Sequence, residues 1–132
     1  MEFKVAVIVG EDVKEMVRLE NAMHMYGFTI TCFKFTNLNE AIDFVFMQPD
    51  PVDYLLVEAD KLLLEEKWLL KALTSMGESP HMVTAVYSKN KAINVTRIKK
   101  QLGLHMAVRL PADPYEYICQ MGFILVHHEM HD

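Results

Sequence analysis

Five short runs dominated by apolar residues punctuate the chain: "FKVAVIVG", "TITCFKF", "VDYLLVE", "HMVTAVYS" and "MAVRL", with helix-length spacers between them. Such alternation predicts βα units and a largely parallel sheet covered by helices on both faces. The runs at 3–9, 53–58 and 82–87 are almost continuously apolar, the pattern of central strands buried on both sides, whereas the second alternates and belongs nearer an edge. Among the spacers, residues 12–26 place Val13, Met16, Leu19, Met23 and Tyr26 three or four apart, an amphipathic helix that Gly27 stops. "NLNEAIDFVFMQ" opens on an Asn suited to cap a helix, and "PDP" at 49–51 closes it. A helix over 61–76 carries Leu62, Leu63, Leu64, Trp68, Leu69, Leu70 and Leu73 on an arc wider than one buried face needs, until "GESP" breaks it. A fourth helix spans 90–103 and ends at Gly103. "DPYEYICQMGFILVHHE" is the last, with Pro114 in its first turn.

Five βα units within 132 residues predict a single α/β domain over 1–132, a flavodoxin-like doubly wound sheet of three α/β/α layers with strand order 2-1-3-4-5. Ligands of such sheets bind at the carboxyl ends of strands 1 and 3, which directs attention to "VGED" and "VEAD". Composition narrows the functional classes. Apolar residues make up 52% and charged ones 23%, globular values, and no apolar run of about 20 residues is present to cross a bilayer. The start "MEFKVAVIVGED" lacks the basic flank and cleavage site of a signal peptide, so the expectation is a cytoplasmic protein. A net charge of −5 with scattered basic residues argues against direct nucleic-acid binding.

The local exception is "RIKK", where Arg97, Lys99 and Lys100 fall near a helix C-terminus that favours cations and equally suit a partner's acidic surface. Cys32 and Cys119 lie in apolar segments without C-x-x-C spacing, the setting of core thiols. Gly10 stands alone rather than in a glycine-rich phosphate loop, so nucleotide or flavin binding has little support. The tail "HHEMHD" sets His127 and His131 four apart but without a metalloprotease arrangement, and a frayed polar terminus accounts for it. His24, His81 and His105 occur singly, which favours structural roles, and most of the ten methionines are core filler.

"KVAVIVGEDVKEMVRLENAMHMYGFTI", "PDPVDYLLVEAD", "SPHMVTAVYSKN" and "VRLPADPYEY" occur in an order and at a spacing that resembles the CheY-like receiver domain of two-component response regulators, over essentially the whole chain. The resemblance implies a phosphorylation site at the carboxyl edge of the sheet. In that family an Asp at the end of strand 3 accepts a phosphoryl group. Two acids after strand 1 help hold Mg²⁺, a Ser or Thr after strand 4 contacts the phosphoryl oxygens, and a Lys after strand 5 neutralises charge. The matching positions here are Glu58 for the acceptor, Gly10 and Glu11 for the acids with Asp12 next in line, Ser88 for the hydroxyl (Tyr87 if the register slips by one), and Leu110 for the Lys. Asp60 falls where the family offers a main-chain carbonyl to the metal. The aromatic switch position of the family is Ala107, with Met106 beside it.

These departures have physical consequences. An attacking carboxylate must lie within about 3–3.5 Å of phosphorus and in line, so one added methylene misplaces it by about an ångström. Losing a preorganised cation costs about 2.7–4 kcal/mol of transition-state stabilisation. Arg109 is a substitute only if a bulge turns it into the pocket, since neighbouring strand side chains face opposite ways. Mg²⁺ remains open as a ligand of Glu11, Asp12 and Glu58, because it needs only one or two carboxylates. Glu58 is then a mimic of a phosphorylated residue, a relict, or a reactive group.

The resulting expectation is a stand-alone pseudo-receiver, not an enzyme and requiring no cofactor, acting as a phosphorylation-independent interaction module. Its partner would be a signalling protein such as a kinase, output or scaffold protein, or a second copy. The resemblance places such contacts on the 90–103 helix, the fifth strand and the last helix, with Arg97, Lys99, Lys100, Met106, Ala107, Tyr115 and Tyr117 as candidates. The alternatives are a phosphoacceptor using Glu58 or Asp60 with Mg²⁺, and a small-molecule-binding flavodoxin-like protein.

Overall fold

The computed structural model describes residues 3–25, 29–48, 51–63, 67–78 and 82–110, together with Cys119 and Gly122. The three near-continuous apolar runs form the middle of the sheet. Strand β1 (Phe3–Val9) lies between β2 (Thr29–Phe35) and β3 (Tyr54–Glu58), and β4 (Val83–Ser88) and β5 (Met106–Arg109) extend the sheet beyond β3. All four pairings are parallel and the order is β2-β1-β3-β4-β5, as the sequence predicts. Asp53 sets the β1–β3 register just before β3 begins. Its carboxylate accepts the Val5 N–H at 2.9 Å, and its own N–H donates to the Val5 carbonyl at 2.8 Å.

Side-chain alternation divides the interior between the two faces of the sheet. Ala6, Ile8, Tyr54, Leu56, Ala85 and Tyr87 join Met16, Leu19 and Met23 of helix α1 (Val13–His24) on one face. On the other, Val7, Val9, Leu55, Val57 and Val86 pack with helices α2 (Leu38–Met47), α4 (Lys67–Gly77) and α5 (Val95–Leu102). Burying both faces removes a large apolar area from water at about 25 cal/mol per Å², which holds the three-layer sandwich together.

Helices α1, α2 and α5 start where side chains can satisfy free backbone N–H groups. Asp12 caps α1 by accepting from Lys14 and Glu15, Asn37 caps α2 by accepting from Glu40, and Asn94 caps α5 by accepting from Arg97. Three boundaries differ from the periodicity reading. Val13 opens α1 and is exposed, while Glu15 and Ala22 take buried places on that helix, because the cap at Asp12 fixes the phase of the first turn. The single helix predicted over 61–76 is represented by two: α3 (Ala59–Leu62) starts directly from the strand and ends at Leu63, and α4 begins at Lys67. The helix predicted from 90 begins at Val95, since Asn90 builds a turn instead, its side chain accepting the Ala92 N–H at 3.0 Å. Its end is as predicted, at Gly103 with φ of 67°, a left-handed conformation glycine adopts without strain. The last predicted helix and the tail lie outside the described residues, apart from Cys119 and Gly122.

Candidate functional site

The sheet brings Gly10, Glu11, Asp12, Glu58 and Ser88 to one edge, at the carboxyl ends of β1, β3 and β4. Glu58 ends β3 directly beside Tyr87 of β4. It follows Tyr54 and Leu56 in the alternation and so faces the α1 side of the sheet, 7% exposed. Its Oε1 accepts the Glu11 N–H at 3.3 Å, tying the end of β3 to the loop entering α1. Burial pushes the Glu58 carboxyl above its ordinary range; the Glu11 hydrogen bond opposes this, and the nearby charges of Asp60, Glu11 and Asp12 add to it.

Tyr87 changes the chemistry of this pocket. Among the described residues it and Tyr54 are the largest fully buried side chains, and its hydroxyl donates to the Val9 carbonyl at 3.0 Å. A Cβ on Gly10 would lie 2.4 Å from that oxygen, far inside van der Waals contact. The next atoms it would meet, Glu58 Cβ and Met16 Cγ, are at an ordinary 3.6 Å. Gly10 does not have a positive φ, so space rather than conformation demands glycine there. The space beside Gly10, after β1, is therefore filled by a phenol from β4, two strands away in the sheet.

The remaining acids are engaged elsewhere. Glu11 is exposed and ion-paired with Lys61 of α3. Asp12 receives the Lys89 ammonium at 2.8 Å while capping α1. The Lys89 hydrogen bond, with help from the Glu15 N–H, holds the Asp12 carboxyl below its ordinary range, and the same contact raises Lys89. Glu15, 1% exposed, lies 3.8 Å from Arg18 and 3.9 Å from Lys89. Asp60 is exposed in the first turn of α3. Ser88 is buried and its Oγ accepts the Asn90 N–H at 3.0 Å, so it shapes the loop after β4. Leu110 is 3% exposed and belongs to the core on the α1 side.

Arg109 is engaged away from these acids. Its guanidinium donates to the carbonyls of Asn90 and Ile93 and braces the loop leading into α5. Glu11 and Asp12 are paired instead with Lys61 and Lys89, neither of them a candidate read from the sequence. Their signal was adjacency: one lies three residues beyond Glu58, the other directly after Ser88.

Mg²⁺ does not fit this set of residues. It requires oxygen ligands in near-octahedral array, yet Tyr87 fills the space over Gly10, Glu11 and Asp12 are each neutralised by a lysine, and Glu58 alone faces inward.

The residues expected at a partner surface do not form one uniform patch. Arg97 and Lys100 are exposed on α5 and Lys99 is half-buried. Met106 and Ala107 are half-buried against the cores of opposite faces, because they are consecutive on a strand. Tyr115 and Tyr117 lie outside the described residues. The large exposed apolar side chains of the described residues include Phe46 and Met47 on α2, Leu63 after α3, and Trp68 on α4, which is 54% exposed. Two open grooves, of about 490 Å³ between α4 and α5 and about 380 Å³ beside Leu63 and the loop into α5, run along this helical side rather than above β1 and β3.

No protein-family model and no curated protein matches the chain. Solved structures do. A CheY-like response regulator receiver domain from Methanospirillum hungatei superposes with a TM-score of 0.69 over 99% of this chain and all of its own, at 12% identity. The phosphorylated cyanobacterial phytochrome response regulator RcpA gives 0.71, covering 98% of this chain and 94% of that one, also at 12% identity. A LuxR family DNA-binding response regulator from Silicibacter pomeroyi gives 0.67 at 17% identity, covering 94% of this chain and 93% of that one. The chain thus has the receiver-domain fold of response regulators, at identities that speak to the fold alone.

Proposed function

We propose that this chain is a single receiver-like domain, a pseudo-receiver that works in signal transduction by binding another protein without being phosphorylated. The observation that carries the reading is the Tyr87 hydroxyl, placed where the first metal-holding acid of an active receiver would project from Gly10. Around it Leu110 is buried in the core and Ser88 is committed to a loop turn. Glu58 then acts as a structural anchor. It accepts a backbone N–H from the loop after β1, while Lys61 and Lys89 are paired with other acids, so among the described residues no cation is seen to read its charge as a phosphoryl group's.

The phosphoacceptor alternative gains only the proximity of Lys61 and Lys89, and using either would first require breaking an ion pair. The partner is a signalling protein, such as a kinase, output or scaffold protein, or a second copy of the chain.

Intact-mass spectrometry after incubation with acetyl phosphate and Mg²⁺, with an active receiver as positive control, tests the reading. The expected result is no added phosphoryl group. A labile gain of one group that disappears in Glu58→Gln or Asp60→Asn would overturn it.

A further inference from the structure

We propose that Glu20, His24 and Cys32 form a binding site for one divalent transition-metal ion of Zn²⁺-like character, remote from the phosphorylation-type pocket. Glu20 and His24 are one helical turn apart at the end of α1, and Cys32 lies on β2, the edge strand. Cys32 pairs with Ala6 and packs against the core on the α1 side, so its thiol faces the helix that carries the other two. Their ligand atoms all fall within 4.8 Å of one another.

The geometry suits a shared ion better than direct contacts. Glu20 Oε2 and His24 Nε2 are 3.8 Å apart, too far for a hydrogen bond. Oxygen and nitrogen ligands at about 2.0–2.1 Å from a tetrahedral ion lie about 3.4 Å apart, so a shift of a few tenths of an ångström closes the pair around a metal. The carboxylate is already oriented for this: its other oxygen, Oε1, is held at 2.6 Å by the Lys34 ammonium, a supporting contact of the kind that fixes metal ligands. Lys34 lies two residues beyond Cys32 and shares its face of the strand.

The chemistry of the ligands narrows the ion. One carboxylate, one imidazole and one thiolate select a borderline ion over Mg²⁺ or Ca²⁺, and they balance a 2+ charge. Three protein ligands leave a fourth position for water or a group from a partner. Burial pushes the Cys32 thiol up to about 12, so at neutral pH the ion displaces a thiol proton to water as the metal–sulfur bond forms. The bound ion would strap the end of α1 to the sheet edge.

The test uses Co²⁺ and then Zn²⁺ on the full chain carrying His127→Ala, His128→Ala and His131→Ala, which removes the competing histidine tail. One equivalent of Co²⁺ is expected to produce a thiolate-to-cobalt charge-transfer band with tetrahedral visible absorption, abolished by Zn²⁺. The band should vanish in Cys32→Ser and persist in Cys119→Ser. His24→Gln at an exposed position and Glu20→Gln at a half-buried one, both isosteric or nearly so, should each weaken binding about tenfold or more. Absence of the band at stoichiometric Co²⁺, a band that follows Cys119 instead, or unchanged affinity in both the His24 and Glu20 variants would overturn the site.

Discussion

At the scale of single residues, the pair Gly10 and Tyr87 decides what the pocket can be. Adding a methyl group at Gly10 places it 2.4 Å from the Tyr87 hydroxyl, whereas every other neighbour is at 3.6 Å or beyond. Gly10→Ala should therefore destabilise the protein by about 1–3 kcal/mol through overpacking. In a Tyr87→Phe background the oxygen is gone, and the same change should be neutral or stabilising by up to about 1 kcal/mol, since alanine restricts the unfolded chain. Urea denaturation of the four proteins in a double-mutant cycle measures this coupling. Simple additivity would mean that the phenol does not occupy the space above Gly10. Glu58 permits a second prediction. Its carboxyl is raised above the ordinary 4.5, chiefly by burial, so above 4.5 the folded state holds a proton that the unfolded chain has released. Stability contributed by this residue falls as pH rises through that window and stays lower above it. Glu58→Gln, whose amide oxygen still accepts the Glu11 N–H, should match wild type below 4.5 and exceed it at neutral pH. Denaturation at the two ends of that pH range checks the sign, and an equal or less stable variant at neutral pH would show that the charge of Glu58 is compensated.

At the scale of elements, what the sequence made legible was the burial pattern. Strands covered on both faces leave unbroken apolar runs, and those runs located β1, β3 and β4 to within a residue. The alternating second run sits at the sheet edge. Helix ends were less legible, because an apolar period says which face is buried but not where backbone N–H groups find partners. Asn90 and Asn94 are both plausible caps by composition. Only three-dimensional context makes Asn90 a turn and Asn94 the cap. Of the candidate site residues, Gly10, Glu58 and Ser88 fall at the carboxyl ends of their strands, the edge that strand order alone indicated, and Leu110 follows β5 into the core. Two facts lay beyond it, both depending on contacts between segments far apart in the chain. One is the packing of Tyr87 over Gly10, and the other is the pairing of Lys61 and Lys89 with Glu11 and Asp12.

At the scale of the whole molecule, these contacts join segments that lie far apart in the chain. Lys61 links the start of α3 to the loop after β1, and Lys89 links the end of β4 to the start of α1. Glu58 crosses from β3 to the same β1 loop, and Arg109 clamps the β4–α5 loop from β5. Each exposed ion pair is individually weak, but together these contacts tie the loops after β1, β3 and β4 to one another and to β5, above three strands buried on both faces. A ligand shifts a conformational equilibrium only by binding one state better than another; on the proposed reading, with Glu11 and Asp12 paired to lysines and the Tyr87 hydroxyl against Gly10, acetyl phosphate and Mg²⁺ find no such preference. Amide hydrogen exchange should thus be slowest in β1, β3 and β4 and unchanged over residues 8–12, 57–60 and 87–90 when the two reagents are added. Altered protection confined to those loops would mean that the edge still switches, and that its lysines exchange partners when phosphate arrives.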